Sequence, residues 1–266
     1  MSAEKAVPKE LVPQVAVVTG GSSGIGAAIA RTLAGRGWQL VLLARGEERL
    51  AEVAGELGTE QEVCDVSDRA EVERIAAAVR ERHPAIRLLV NNAGIPGGGG
   101  FLDLELDQIE KLVRTNYLGS VWCLRAFLPA LEAGAPADLV NIASVAGTIA
   151  AGHSGPYSAS KHAQLAFSRS LAAALRGSGI DVHAVLPGFV ETEGFPQKGV
   201  LKSRLLGRFV IQPPRVAEAV VTAVEKGKRE ITVPWFPYRP VSVVQALSPG
   251  LIARFSGMSD YKPGSV

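Results

Sequence analysis

Apolar and polar positions along the chain fall into two alternating patterns, short apolar runs and longer segments with helical periodicity. Seven runs have the length of strands: Val15–Thr19, Gln39–Ala44, Glu60–Cys64, Leu88–Asn91, Leu139–Ala143, Asp181–Leu186 and Glu230–Val233. Six segments between them predict helices: Ile25–Arg36, Glu47–Leu57, Asp68–Arg82, Leu106–Leu131, Tyr157–Arg176 and Val216–Lys226. Strands that are apolar on both faces and joined by helices predict a parallel sheet covered on both sides. We therefore expect residues 1–266 to form a single α/β domain, Rossmann-like and doubly wound, with a seven-stranded parallel sheet flanked by helices.

The composition excludes several classes of protein. With 47% hydrophobic residues, 20% charged residues and a net charge of +2, the chain is typical of a globular protein, and it has no excess of cations for nucleic acid. Cys64 and Cys123 lie in apolar stretches, which favours buried thiols in a reducing compartment over a disulfide. The polar start MSAEKAVPKE gives no signal peptide, and no apolar run is long enough to span a bilayer. We expect a cytoplasmic protein without a nucleic-acid partner.

The first predicted strand ends in a glycine-rich turn, and a helical pattern follows at once. The turn reads Thr19-Gly20-Gly21-Ser22-Ser23-Gly24-Ile25-Gly26. Glycine lets a backbone approach a pyrophosphate closely, and the free amides at the start of a helix attract the anion. The spacing departs from GxGxxG, and glycine also serves any tight connection from strand to helix. The turn alone is therefore compatible with a dinucleotide site and with a simple tight loop.

Tyr157 and Lys161 stand four positions apart at the start of a predicted helix, so their side chains project from one face. A phenol with its ordinary pKa of about 10 is a poor base at neutral pH, and a neighbouring ammonium is expected to lower that pKa. Ser144 follows the fifth strand at its carboxyl end, where open α/β sheets bind ligands, and its hydroxyl can donate to a substrate oxygen. Taken alone, a Tyr-x-x-x-Lys pair is usually a surface cation–phenol contact, and the alternative for Ser144 is a strand-to-loop hydrogen bond.

These motifs occur in the order and spacing of the short-chain dehydrogenase/reductase family, together with Asn91-Asn92-Ala93-Gly94 and with Pro187-Gly188 and Thr192. The chain resembles that family over roughly residues 12 to 235. The resemblance implies an oxidoreductase that uses NAD or NADP, without a metal, to move a hydride between the nicotinamide and a carbonyl or secondary alcohol. It implies a catalytic set of Asn116, Ser144, Tyr157 and Lys161, in which Tyr157 is the general acid/base. Asn116 then anchors a water that relays protons to the lysine, and Lys161 holds the nicotinamide ribose.

The same resemblance implies a set of cofactor contacts at the carboxyl ends of the strands. They are Gly20, Ser22, Ser23, Gly24, Ile25, Gly26, Arg45, Asp65, Val66, Asn92, Ala93, Gly94, Tyr157, Lys161, Pro187, Gly188, Val190 and Thr192. Asp65 corresponds to the adenine contact, and Thr192 to the residue that holds the carboxamide. The alternative for each is that it only shapes its own turn.

The end of the second strand predicts NADP as the cofactor, with NAD as the alternative. NAD enzymes usually place a carboxylate there, which binds the ribose 2′-hydroxyl and repels a 2′-phosphate, and Ala44 has none. Arg45 offers a planar cation suited to phosphate, and Arg49 adds a second. NAD stays open because Ser22 and Ser23 put no cation in the glycine turn and because two glutamates lie nearby. Arg45 as a solvent-exposed cap of the sheet edge is the structural alternative.

Two segments near the C-terminus lie outside these motifs. By resemblance, residues 194–214 form a substrate lid, and they carry Lys198, Lys202, Arg204 and Arg208 without an acidic residue. These cations are either a solvated face or an attraction for an anionic substrate or partner. Residues 234–266 form an apolar extension, which we expect to pack over the substrate pocket or against another subunit; peripheral contact with a membrane is the alternative. The resemblance implies a homodimer or homotetramer.

Two other functions share parts of this pattern. A non-catalytic, dinucleotide-binding regulatory protein of the same fold would lack one of the four catalytic residues, and all four are present here. Sugar-nucleotide epimerases and dehydratases share the Tyr-Lys pair but are longer, with a different glycine spacing. An enzyme is therefore favoured. Its substrate class stays open among a ketosteroid, a 3-oxoacyl thioester, a retinoid-like aldehyde and a simple secondary alcohol.

Overall fold

A computed structural model describes residues 14–150, 154–194 and 207–250, and in these ranges seven strands form one parallel sheet. The strands are β1 (Val15–Thr19), β2 (Gln39–Ala44), β3 (Glu60–Val63), β4 (Leu88–Asn91), β5 (Ala137–Ile142), β6 (Ile180–Pro187) and β7 (Glu230–Val233). Their order in the sheet is β3-β2-β1-β4-β5-β6-β7. The order reverses between β1 and β4, and open α/β sheets bind ligands at the carboxyl ends of the strands beside such a reversal. The predicted fold class is confirmed.

Helices cover both faces of the sheet. They are α1 (Gly24–Ala34), α2 (Glu47–Leu57), α3 (Arg69–Arg82), α4 (Leu106–Val113), α5 (Gly119–Ala133), α6 (Gly155–Ala174), α7 (Pro213–Glu225) and α8 (Tyr238–Leu247). Helices α1, α2 and α7 contribute to one core, and α3, α5 and α6 pack in the other. Strand β1 serves both cores, because Ala16 and Val18 point to one face and Val15 and Val17 to the other. This double burial explains the uninterrupted apolar runs in the sequence.

Several predicted element ends are wrong by one to three residues. Strand β5 begins two residues earlier than predicted and ends one earlier, β6 is longer by one residue at each end, and β3 ends one residue sooner. Pairing with neighbouring strands sets these ends: Ala137 pairs with Ile180, and Pro187 with Val233. Helices α1 and α6 begin and end one or two residues sooner than predicted. Helix α7 begins at Pro213, because proline suits the first turn of a helix.

The predicted helix over residues 106–131 is interrupted. Helix α4 passes into a π-helical turn, Arg114–Leu118, and α5 then continues to Ala133. The π turn buries Thr115 and Asn116. Such turns inside helices are frequent at functional sites, because the extra residue redirects the side chains of that turn.

The C-terminal extension contains a helix that the sequence analysis does not predict. Helix α8 begins at Tyr238 and carries Pro240 in its first turn, where proline is tolerated because the missing N–H has no partner within the helix. Tyr238 and Ser242 are buried, four positions apart. The described part of the extension therefore packs on the body of the protein through one helical face.

Three further expectations concern chemistry away from the sheet ends. Cys64 and Cys123 are free and buried, as predicted, and burial raises the pKa of Cys64 to about 12. Within the described ranges, no helix combines the length and apolar character needed to cross a bilayer. Nor do those ranges bring three or more His, Cys, Asp or Glu side chains together as metal ligands. Lys198, Lys202 and Arg204 of the predicted lid lie outside the described residues, as do residues 251–266 of the extension.

Candidate active site

The glycine turn after β1 is built on close backbone contact. Gly20 and Gly24 have positive φ angles of 68° and 53°, which side chains other than glycine rarely adopt. A Cβ on Gly26 would lie 2.0 Å from the carbonyl oxygen of Gly20, so only glycine fits there. Ser23 precedes helix α1 without capping it through its side chain, and the first turn of α1 holds no acidic residue. The amides at this helix start are therefore directed toward an anion site with no competing carboxylate.

The end of β4 is tied to this turn by side chains. Thr19 Oγ1 accepts from the amides of Asn92 and Ala93, both at 3.0 Å. Asn92 Nδ2 donates to the carbonyl oxygens of Thr19 at 2.9 Å and Gly20 at 3.3 Å. The amide of Asn92, a predicted cofactor residue, thus supports the glycine turn. Two positions after Asn92, a Cβ on Gly94 would lie 3.1 Å from the side-chain oxygen of Asn116.

The ends of β2 and β3 bring a cation and a carboxylate together. Arg45 Nη1 lies 3.6 Å from Asp65 Oδ2, and both side chains are partly exposed. Asp65 Oδ1 accepts from the amide of Ser67 at 2.8 Å and from its hydroxyl at 2.7 Å. Burial raises the pKa of Asp65, but the bonds from Ser67 and the charge of Arg45 outweigh burial and keep the pKa below its usual value. Arg49 is paired with Glu193 at 2.9 Å. The adjacent Val66 is buried.

Ser144 and Tyr157 meet at the carboxyl end of β5. Ser144 Oγ accepts from the amide of Ala146 at 3.1 Å and lies 3.5 Å from the carbonyl oxygen of Pro187, and Ser144 also hydrogen-bonds the side chain of Tyr157. Tyr157 lies in the first turn of α6. Burial of its phenol raises its pKa, and the bond with Ser144 partly offsets this rise. The expectation that Lys161 lowers the pKa of Tyr157 is therefore wrong for the protein alone.

The physical reason lies in the surroundings of Lys161. Its ammonium is buried and donates to the carbonyl oxygen of Ile142 at 3.0 Å and to Gln164 Oε1 at 2.9 Å. Burial lowers the pKa of Lys161 to about 7. The ammonium is thus held by neutral acceptors, and a lysine with this pKa has lost its charge at the pH where a phenol ionises. Sequence reasoning missed Gln164; its position one helical turn after Lys161 was the available signal.

Asn116 occupies the π turn and joins two other parts of the site. Its Oδ1 accepts from the amide of Ile95 at 2.8 Å, and its Nδ2 donates to the carbonyl oxygen of Ile95 at 3.1 Å and to Ser160 Oγ at 3.1 Å. Asn116 is fully buried. Its side chain therefore fixes the loop after β4 against α6, beside Lys161. The role of Asn116 in a proton relay stays a prediction.

The loop after β6 closes the site on the opposite side. Gly188 donates its amide to the carbonyl oxygen of Val233, and Val190 is buried and bridges to Ile211. A Cβ on Gly24 would lie 3.2 Å from Thr192 Cγ2, so Thr192 reaches the glycine turn. The sequence-predicted residues at the ends of β1, β4, β5 and β6 are thus brought to one edge of the sheet. Of the predicted lid cations, Arg208 is described, in a short 3-10 turn.

The C-terminal helix adds contacts that sequence reasoning also missed. Tyr238 packs over Gly188, and its hydroxyl accepts from the amide of Phe189 at 3.3 Å. Ser242 and Thr148 hydrogen-bond through their hydroxyls at 2.7 Å. Helix α8 therefore supports the loops after β5 and β6. The signal was the spacing of Tyr238 and Ser242, which share one helical face.

The described residues fit a dinucleotide. The glycine turn leaves an open helix start without carboxylates, as a pyrophosphate requires. The lack of a side chain on Gly94 leaves space beside Lys161, whose Nζ would lie 3.7 Å from a Cβ there. An ammonium has three N–H donors, and two reach protein acceptors within the described ranges. One donor is left for ribose hydroxyls.

Comparison with known proteins agrees with this geometry. Residues 14–199 match the model of the family described as short chain dehydrogenase. A Streptomyces coelicolor protein that carries the provisional name ketoacyl reductase is 39% identical, with 82% of this chain and 93% of the relative covered. A variant of actinorhodin polyketide ketoreductase solved with NADPH has a TM-score of 0.75 at 34% identity and covers 85% of this chain and 97% of its own.

A second solved structure covers nearly the whole chain. It is a short chain dehydrogenase/reductase from Burkholderia phymatum in complex with NAD, with a TM-score of 0.80 and 28% identity, covering 97% of this chain and 99% of its own. The family model spans more than half of the sequence, and the relatives match over most of their lengths. The chain therefore belongs to the short-chain dehydrogenase/reductase family of oxidoreductases.

Proposed function

We propose that this protein is an NADP-preferring reductase that transfers hydride to a ketone or aldehyde, and from the corresponding alcohol in reverse, with Tyr157 as the general acid/base. The observation that carries this proposal is the hydrogen-bonded pair of Ser144 and Tyr157 beside the buried cation Lys161. All three lie at the carboxyl end of β5, next to the reversal in strand order.

The raised pKa of Tyr157 suits the reductive direction. A phenol that stays protonated at neutral pH is ready to donate its proton to a carbonyl oxygen. Ser144 Oγ donates a second hydrogen bond to that oxygen and stabilises the charge that develops there. A nicotinamide, when bound, supplies the hydride to the carbonyl carbon. In the oxidative direction, the phenol must first lose its proton.

Lys161 holds the ribose of the nicotinamide in this proposal. Its third N–H donor is the group that would reach the ribose hydroxyls, while the carbonyl of Ile142 and the amide of Gln164 fix the ammonium from behind. Asn116 keeps the loop after β4 in place beside it. Asn116 is thus assigned to the catalytic set by its position, and relay of protons to the lysine is part of the proposal.

The cofactor preference rests on the end of β2. Ala44 has no carboxylate to bind the 2′-hydroxyl of NAD. Arg45 is half-exposed, and one edge of its guanidinium faces Asp65, so the remaining donors are available for a 2′-phosphate. The pairing of Arg49 with Glu193 weakens the case for Arg49 as a second phosphate ligand. The complex of the actinorhodin ketoreductase with NADPH supports NADP, and the complex of the Burkholderia protein with NAD keeps NAD as the alternative.

The substrate we place first is a ketone on an acyl chain, as in a 3-oxoacyl thioester. The Streptomyces relative named for ketoacyl reduction supports this class. Phe189 and Tyr238 give the loop after β6 an aromatic, apolar character. Lys198, Lys202, Arg204 and Arg208 of the lid sequence add positive charge for a phosphorylated carrier.

The protein acts in the cytoplasm as a homodimer or homotetramer in this proposal. Apolar side chains at the start and on the outer face of α8 are exposed in the single chain: Trp235, Phe236, Val243, Val244 and Leu247. Burial of such a patch between subunits removes apolar surface from water. Light scattering coupled to gel filtration measures the assembly directly. A monomer at all concentrations would contradict it.

The test of the function is Tyr157→Phe, assayed by nicotinamide absorbance with a panel of ketone, aldehyde and alcohol substrates. Loss of the proton donor is expected to lower kcat by about 100-fold or more, with the Kd for NADPH nearly unchanged. Tyr117→Phe is the matched control, because it removes the same hydroxyl from a tyrosine whose ring meets Phe167 edge-on. A Tyr157→Phe enzyme that keeps more than about a tenth of wild-type kcat would exclude Tyr157 as the acid/base.

A further inference from the structure

Behind Lys161, five buried polar residues from four elements form a closed ring of hydrogen bonds. They are Asn91 in β4, Ser120 in α5, Asn141 in β5, and Gln164 and Ser168 in α6. Nδ2 of Asn91 donates to Asn141 Oδ1 at 2.9 Å and to the carbonyl oxygen of Ser120 at 3.2 Å. Asn141 Nδ2 donates to Ser168 Oγ at 2.9 Å, and Ser168 Oγ donates to the carbonyl oxygen of Gln164 at 2.8 Å. Gln164 Nε2 closes the ring on Ser120 Oγ at 2.9 Å.

The ring fixes which end of the Gln164 amide faces the lysine. Ser120 Oγ lies 3.5 Å from the carbonyl oxygen of Asn116, which can only accept, so the serine hydroxyl donates there and accepts from Gln164 Nε2. The amide oxygen is then turned toward Lys161. The reverse orientation would put an NH2 group against an ammonium, and neither group could accept. A buried network with this many partners holds its members in one arrangement.

The acceptors of the Lys161 ammonium are neutral. They are the carbonyl oxygen of Ile142 and the amide oxygen of Gln164, at 3.0 and 2.9 Å. Gly94 from the loop after β4 lies beside the ammonium, since a Cβ there would come within 3.7 Å of Lys161 Nζ and 3.1 Å of Asn116 Oδ1 in the π turn. Burial lowers the pKa of Lys161, and within the described ranges no charged side chain contributes to that shift. Two neutral dipoles therefore stabilise the buried ammonium, in place of the carboxylate that usually pairs with a buried charge.

We propose that Gln164 is the positioning residue for Lys161: its amide oxygen, anchored through Ser120, fixes the ammonium and sets the pH at which the lysine loses its charge. The proposal rests on the proposed function, in which Lys161 holds the nicotinamide ribose. Gln164 acts through the lysine and touches neither substrate nor cofactor. A carbonyl dipole favours the charged form of the ammonium, so it opposes the effect of burial.

Two substitutions at this position should shift the lysine in opposite directions. Gln164→Met keeps the length of the side chain but removes the acceptor, so Lys161 should lose its proton at a pH lower by about one unit. Gln164→Glu keeps the shape of the side chain and adds a negative charge, so Lys161 should lose its proton at a pH higher by about one unit. A general loosening of the fold would not produce shifts of opposite sign.

The measurement is the pH dependence of NADPH binding by nicotinamide fluorescence, together with the alkaline limb of kcat/KM for ketone reduction. Affinity should fall as pH rises through the pKa of Lys161, and the midpoint should lie low in Gln164→Met, intermediate in the wild type and high in Gln164→Glu. Midpoints that coincide within a few tenths of a pH unit, or that shift the same way in both variants, would overturn the positioning role.

Two controls separate this proposal from the function itself. Lys161→Met should bind NADPH weakly, show no pH-dependent change in that binding, and lose turnover. A Lys161→Met protein that keeps wild-type NADPH binding and turnover would refute the assignment of Lys161, and the role of Gln164 with it. Ser168→Ala breaks the ring away from the lysine, so it should lower thermal stability but leave the midpoint at the wild-type pH. A midpoint that moves as far in Ser168→Ala as in Gln164→Met would contradict a specific role of the Gln164 amide oxygen.

Discussion

The ring of Tyr238 lies directly against Gly188: a Cβ on Gly188 would come within 2.1 Å of Tyr238 Cε2. The hydroxyl of Tyr238 accepts from the amide of Phe189 at 3.3 Å, and the two rings meet edge-on at 6.1 Å. The same turn presents the carbonyl oxygen of Pro187 to Ser144 Oγ. The C-terminal helix thus supports a turn at the edge of the candidate active site, although α8 lies outside the family motifs.

Gly188→Ala should therefore lower the free energy of unfolding by about 1–3 kcal/mol, because the new methyl group has no room beside the tyrosine ring. It should also lower kcat/KM through the displaced turn. In a Tyr238→Leu background the smaller side chain relieves the overlap, so the same glycine substitution should cost less. Urea unfolding of the two single variants and the double variant measures this coupling, and purely additive effects would contradict the contact.

The wild-type enzyme should prefer NADPH over NADH by at least about tenfold in kcat/KM, because a charge-assisted phosphate contact contributes about 1.5–3 kcal/mol. Ala44→Asp combined with Arg45→Ile should invert this preference, because the pair of changes adds a carboxylate for the 2′-hydroxyl and removes the phosphate-binding cation. Arg49→Ala is the matched control and should change the preference less, since Arg49 is paired with Glu193. Steady-state kinetics with both cofactors decides the matter; a wild-type enzyme that works better with NADH would exclude the assignment.

His183 should make the stability of the protein depend on pH. Its ring nitrogens lie 2.9 Å from Asp138 Oδ1 and 2.9 Å from the carbonyl oxygen of Lys228, and only a doubly protonated imidazole can donate to both. Burial lowers the pKa of His183, but these two hydrogen bonds outweigh burial and raise the pKa above its ordinary value of 6.5.

The sign follows from this raised pKa. The stabilisation is fully present below about pH 6.5, the unfolded value, and is lost as the pH rises through the higher folded value. Asp138→Asn should cost about 1.5–3 kcal/mol at about pH 6 and much less at about pH 9. Urea unfolding across that range is the measurement. A cost for Asp138→Asn that does not change with pH would show that the pair is not charged.

Gly26→Ala should damage the glycine turn, because its methyl group would lie 2.0 Å from the carbonyl oxygen of Gly20 and only a backbone shift could relieve the overlap. We expect NADPH affinity to fall at least about tenfold and unfolding free energy to fall by about 1–3 kcal/mol. Gly55→Ala in α2 is the matched control, since a Cβ there meets nothing within 4 Å. That change should stabilise the protein by about 0.5–1 kcal/mol. Equal effects of the two substitutions in calorimetry and in fluorescence titration would contradict this account of the turn.

The hydrophobic pattern predicts the fold well because every strand of this sheet except the edge strand β3 is at least half-buried along most of its length. The spacing of residues along the chain likewise brings Ser144, Tyr157 and Lys161 to one edge of the sheet. What spacing does not contain is the set of hydrogen-bond partners. Burial lowers the pKa of Lys161 to about 7, so the lysine has lost its charge at the pH where the phenol ionises, and the predicted effect on Tyr157 is absent.

Helix α8 and Gln164 were missed for different reasons. Pro240 and the Pro249-Gly250 pair indicate a broken segment in the sequence, so α8 was not predicted. Tyr238 and Ser242 nevertheless have the spacing of one helical face. Gln164 reads as an ordinary polar helix position, and its burial depends on a partner in α5 that is distant in sequence. The local sequence pattern therefore predicts which side chains reach the site. The hydrogen-bond partners and the pKa of each side chain depend on contacts between elements that are distant in sequence.

The closed ring behind Lys161 also bears on the order in which parts of the candidate site can form during translation. Its members come from four elements, and the last of them, Ser168, lies well downstream of the glycine turn in the chain. Because the ribosome releases the chain from its N-terminus, residues 19–26 of the glycine turn are made before the hydrogen-bond partners of Lys161. In the proposed function, the residues that would bind the pyrophosphate are therefore made before those that would hold the ribose. We therefore expect tight cofactor binding only after the ring of hydrogen bonds at the centre of the sheet has formed.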